Sequence, residues 1–159
     1  MDTWEILNGV YRRLYLRNHG LHARLASAGC RCTWNWYNYH FSRRGGAYEP
    51  EFFPIPVTTV EGLCDIGLEL DSVFIEAHLR YEQALALDWG AVGWPFEVYG
   101  AEDYTEDLYR PGMSLETLPR RIAACGGEIA LEISLPWDCP DDEILEVVAA
   151  CRRWGTHIA

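Results

Sequence analysis

The sequence predicts an α+β fold: a single domain, spanning residues 1–159, with a largely antiparallel sheet of about five strands and helices at both termini packed on it. Three observations predict it. Apolar residues recur at helical spacing near each end of the chain. Clean period-2 alternation fills the middle, in LCDIGLEL (63–70), VFIEAHLR (73–80) and EIALEISL (128–135). The strand-like segments come in neighbouring runs rather than in strict alternation with helices, which favours antiparallel pairing with helices on one face.

The elements follow in order. Trp4, Leu7, Val10, Tyr11 and Leu14 share a helical face over residues 2–17, and Asp2 with Glu5 three positions on resembles a capping box. Asn18-His19-Gly20 reads as a stop, LHARLASA (21–28) as a second helical piece and Gly29 as its end. CTWNWYNYHFS (32–42) is aromatic and reads as a strand, broken by Arg43-Arg44-Gly45-Gly46. Pro50, Pro54 and Pro56 make 47–56 a loop or edge segment, because proline gives no ladder donor. Residues 63–70 and 73–80 form a hairpin across Asp71-Ser72, with a switch to helix near Tyr81. PFEVY (95–99) is a short strand, 102–109 a helical turn, and 115–125 a helix with Pro119 near its start and Gly126-Gly127 as its terminator. After the strand 128–135, a last helix covers 140–154. Its acidic opening and Arg152-Arg153 suit the helix dipole, and Ile144, Val147, Val148 and Cys151 form its buried stripe.

The segment 32–42 poses a phase problem. In a regular strand Trp34 and Trp36 fall on one face, while Tyr37, Tyr39 and Phe41 fall on the other. A one-residue bulge at Trp36-Tyr37 would put most of the rings on the core face. The rings then serve as core, since large aromatics dominate buried area. The competing role is a stacking platform.

Of 159 residues, 49% are hydrophobic, enough to bury a core without metal or disulfide. Every basic residue is arginine, and the net charge is −11. A field of that sign repels phosphate backbones and anionic lipid, so nucleic acid and membrane surfaces are poor partners, whereas a basic protein partner fits. No apolar run approaches the roughly 20 residues of a membrane span. The N-terminal stretch lacks a basic, then apolar, leader, so the expected location is cytoplasmic and the six cysteines are expected as free thiols.

No phosphate loop, nucleophile elbow, zincin helix or calcium loop is present. Cys30-x-Cys32 with His40 does not match zinc spacing. No catalytic residue, metal or cofactor is nominated. Two groups remain. Glu97, Glu102, Asp103, Glu106 and Asp107 form the densest carboxylates, a solvated face suited to docking a basic protein. Asn35, Asn38, His40, Glu76 and His78 would line one pocket for a small molecule or carbohydrate, enzymatic or not, if strands 32–42 and 73–80 pair. The first reading, a non-enzymatic interaction module, is preferred.

Overall fold

The computed structural model describes residues 2–37, 55–69, 71–102 and 107–158. Among them run seven strands and four α-helices: α1 (Thr3–Ser27), β1 (Cys32–Tyr37), β2 (Ile55–Val60), β3 (Cys64–Leu68), β4 (Ser72–Leu79), α2 (Tyr81–Ala86), β5 (Phe96–Gly100), β6 (Asp107–Tyr109), α3 (Leu118–Cys125), β7 (Ile129–Pro136) and α4 (Asp141–Trp154). The strands join in one sheet of order β1-β2-β3-β4-β7-β5-β6, every pairing antiparallel.

The sheet is larger than the five strands read from the sequence. Both additional strands lie where local signals point elsewhere. β2 emerges from the proline-rich stretch. Its Pro56 faces Trp36 of β1 but lies beyond the last rung with β3, Val57↔Gly67, so the missing donor breaks no pairing on that side. β6 is three residues long and replaces part of the expected helical turn at 102–109. It pairs with β5 through a register shift at Val98/Tyr99.

α1 is also one helix, not two. The capping box forms as expected, with Glu5 N–H donating to Asp2 Oδ1 at 2.9 Å and Asp2 N–H to Glu5 Oε2 at 3.3 Å. The helix then passes through the expected stop. Leu14, Asn18, Leu21 and Leu25 sit at i, i+4, i+7 and i+11, one continuous buried stripe. Gly20 faces open space. Its penalty of about 1 kcal/mol is outweighed by burying the leucines on either side, each worth roughly 1.5–3 kcal/mol.

Alternation along the strands divides the sheet into two faces. The helix-covered face gathers Cys64, Ile66, Ile75, Leu131 and Ile133 with Leu14, Leu21 and Leu25 of α1 and Ile144 and Val147 of α4 in one apolar cluster. α1 is tied to the turn before α4 by Arg17, whose guanidinium donates to the carbonyls of Trp137 (2.5 Å) and Cys139 (2.7 Å).

β1 corrects the expected bulge. It is regular from Cys32↔Val60 to Tyr37↔Ile55. Cys32, Trp34 and Trp36 therefore share the helix face. Trp34 stands edge-on to Tyr15 of α1 with centroids 5.8 Å apart, and Trp36 to Tyr11 at 5.8 Å. Both tryptophans are half-buried under α1. The bulge would bring Trp34, one of Trp36 and Tyr37, Tyr39 and Phe41 to one side. α1 covers two of them, while Tyr39 and Phe41 lie outside the described residues.

Candidate functional site

The sheet face opposite the helices starts from the polar phase of each strand. At the β2–β3–β4 end that phase is apolar: Ile55, Val57 and Phe74 form a small separate cluster. Phe74 lies flat across Gly67. A Cβ on Gly67 would sit 2.1 Å from Phe74 Cε1, so glycine is required there. Across β4, β7 and β5 the same face turns ionisable.

The register lines up one carboxylate per strand. Asp65 on β3 is opposite Glu76 on β4, Glu76 opposite Glu132 on β7, and Glu132 opposite Glu97 on β5. Neighbouring strands are about 4.8 Å apart, and like charges directly opposite destabilise a sheet. Glu76 and Glu132 are nonetheless only 7% and 5% exposed. Asp65, Glu76 and Glu132 each interact with further groups of the chain, and Asp65 accepts the Thr59 hydroxyl at 2.7 Å.

The next row on this face is His78, Ala130 and Tyr99, again in register. Ala130, fully buried, is the floor between two large side chains. Tyr99 donates its hydroxyl to Glu97. Burial, then this contact and the neighbouring carboxylates Glu97, Glu132 and Asp107, push the Tyr99 hydroxyl far above the usual phenol range. It is a neutral donor at any ordinary pH.

Beside this row is a histidine–carboxylate–histidine cluster. Glu128, just before β7, lies 2.9 Å from His78 Nδ1 through one oxygen and 3.1 Å from His157 Nε2 through the other. His157 is brought there by backbone pairing. Its N–H donates to the His78 carbonyl at 2.9 Å, and His78 N–H donates back at 2.6 Å, so the residues following α4 extend the sheet past the start of β3. Thr156 anchors the same segment through a hydroxyl donated to the Leu63 carbonyl. Burial opposes ionisation of Glu128, but the two imidazoles outweigh it and hold its carboxyl below the usual range.

Four residues from the two expected sites thus meet on one face: Glu76 and His78 from the pocket set, Glu97 and Asp107 from the acidic set, with Asp107 opposite Tyr99. Asn35 lies on the same face but out on β1, exposed, with its side-chain oxygen bound to the Trp36 N–H. Glu102 is exposed beyond the end of β5. Asn38, His40, Asp103 and Glu106 lie outside the described residues. Asp65, Glu132, Tyr99, Glu128 and His157 were not singled out from the sequence. For Glu132 a signal existed: a carboxylate at a polar-phase position in the middle of EIALEISL, with Leu131 and Ile133 on either side. Among the described residues no three His, Cys, Asp or Glu side chains converge on a point suited to a metal ion.

No protein-family model and no curated protein matches the chain. Among solved structures, the chain is similar to a conserved hypothetical protein from Pyrococcus furiosus, with a TM-score of 0.73 and 18% identity over 96% of this chain and 98% of that one. At that identity the likeness shows the fold alone. No helix among the described residues is long and apolar enough to cross a membrane.

Proposed function

We propose that the protein is a non-enzymatic interaction module, and that the carboxylate row on the sheet face receives a cationic side chain from a basic protein partner. The observation that carries this reading is the in-register series Asp65–Glu76–Glu132–Glu97. Like charges held in register concentrate negative potential at the row and attract a positive group to it. A guanidinium suits it best, because its planar fork donates to two neighbouring carboxylates at once. The surrounding charge of −11 steers a basic partner toward the protein and speeds encounter. Asp65 and Glu97, at the half-exposed ends of the row, make first contact, and Glu76 and Glu132 take the charge inward.

The burial of Glu76 and Glu132 favours a second reading, in which the cation belongs to a small molecule. Fluorescence anisotropy with a labelled arginine-containing peptide, its norleucine counterpart and free arginine amide as competitor separates the two. The proposal expects binding of the arginine peptide, weakening as salt rises, with poor competition by arginine amide. Equal competition by the amide would move the reading to a small cation. Equal binding of both peptides would remove the carboxylate row from the account.

A further inference from the structure

On the helix face, Cys64 of β3 and Cys151 in the last turn of α4 meet inside the main apolar cluster, 0% and 1% exposed. Both are free thiols. The backbone holds them together through one anchor. Gly155 ends α4 in a left-handed turn at φ 77°, which brings Thr156 back over the helix end. The Thr156 hydroxyl donates to the carbonyls of Leu63 (3.2 Å) and of Cys151 (3.1 Å). Its N–H donates to the Cys151 carbonyl as well, at 3.0 Å. The residue before Cys64 and Cys151 itself are thus tied to the same side chain, buried like them.

The contact is unsymmetrical. Cys64 donates its S–H to the Cys151 sulfur. That hydrogen bond, then burial, pushes the Cys64 thiol well above the ordinary thiol range. The same bond holds the Cys151 thiol below that range, against the cost of burial and with help from Thr156. One sulfur therefore has thiolate character and lies against a second that carries a proton. The thiolate is the form that oxidants attack, and a neighbouring thiol is what turns the first oxidation product into a disulfide.

We propose that Cys64 and Cys151 are a redox-sensitive pair that closes to a disulfide on oxidation by hydrogen peroxide. The Cys151 sulfur attacks one peroxide oxygen and the O–O bond breaks. The sulfur becomes a sulfenic acid, and the departing hydroxide takes up the Cys151 proton as water. The Cys64 sulfur then attacks the sulfenic sulfur. The S–S bond forms, the S–O bond breaks, and the Cys64 proton leaves with the hydroxyl as a second water. Two thiols are oxidised and one peroxide is reduced to two waters. Burial selects the oxidant, because hydrogen peroxide is scarcely larger than water. The bond joins β3 to the end of α4, on the face opposite the carboxylate row, and its test does not depend on that row.

The intact protein is treated with hydrogen peroxide, quenched with catalase, denatured in N-ethylmaleimide and digested without reduction for peptide mass spectrometry. The expected product is a linked peptide pair carrying Cys64 and Cys151, lost on treatment with dithiothreitol. The exposed Cys125 is the reference for oxidation without linkage. In Cys64→Ala the sulfenic acid stays on Cys151 and is captured by dimedone; in Cys151→Ala dimedone labels nothing at Cys64. Thermal unfolding of the wild type is the second readout and needs no variant. Tm rises after peroxide and returns with dithiothreitol, because the cross-link restricts the unfolded chain. Recovery of both Cys64 and Cys151 as maleimide adducts while Cys125 is oxidised would overturn the proposal. So would linkage of either residue to a different cysteine.

Discussion

The two faces of the sheet are built from the same strands and obey opposite rules. On β7, Leu131 and Ile133 point to the helices and join the main apolar cluster. Glu132 and Ala130, between and beside them, point to the acidic face. The helix face is what a fold needs to be stable. The other face brings like carboxylates opposite one another, and Asp65, Glu76 and Glu132 each meet further groups of the chain.

The comparison is sharpest at adjacent residues. Ile133→Ala should cost about 2–5 kcal/mol, the loss of transfer energy plus a cavity under the helices. Ser134→Ala, one position on and on the other face, should stay within about 0.5 kcal/mol. Urea unfolding of both variants checks this, and similar losses would show that both faces carry the core.

The acidic face also has an apolar corner, where Phe74 covers Gly67. Gly67→Ala should cost about 1–3 kcal/mol through overpacking. The cost should shrink in a Phe74→Ala background, as coupling between touching residues requires. Additive losses in a double-mutant cycle would put the strain elsewhere.

The helix face carries one polar intrusion. Asn18 is fully buried; its Oδ1 accepts the Thr58 hydroxyl at 2.8 Å, but its Nδ2 has no partner among the described residues. Replacing the pair together, Asn18→Leu with Thr58→Val, should be neutral or stabilise by up to about 1 kcal/mol, because an unsatisfied donor leaves the core. A clear loss in thermal unfolding would mean that the pair fixes how α1 seats on β2.

The smallest effect belongs to Glu128. Its carboxyl ionises more readily in the fold than in the unfolded chain, because His78 and His157 donate to it. The resulting stability is complete above the unfolded carboxylate range, near pH 4.3. It is lost as pH falls through the lower folded value. Acid titration of stability should therefore be shallower in Glu128→Gln. An unchanged slope would remove the two-histidine contact from the acid response.

Much of the helix face was legible in the sequence, because period-2 and period-3.6 patterns are local. The hairpin 63–80, the strand at 128–135, the stripe on α4 and the switch at Tyr81 all follow from spacing. β2 and β6 did not, since Pro56 and a three-residue strand carry weak local signals that pairing partners override. The break at Gly20 failed for the same reason: packing of Leu21 and Leu25 decides a helix more strongly than one glycine. The acidic face was half legible. Glu76, His78, Glu97 and Asp107 stand out one at a time, but their assembly depends on register between strands distant in sequence. His157 reaches the cluster only because the segment after α4 pairs with β4.

The central claim is that position in the row, not overall charge, makes the receptor. Two double variants remove the same charge. Glu97→Gln with Glu132→Gln empties half of the row; Glu116→Gln with Glu146→Gln removes two exposed carboxylates elsewhere, on the turn before α3 and on α4. Binding of the labelled arginine peptide is measured for each at one ionic strength. The account predicts at least about a tenfold loss, the equivalent of ~1.4 kcal/mol, for the row variant and little change for the other. Equal losses would show that the acidity of the protein acts only as a diffuse field, and would contradict a built site.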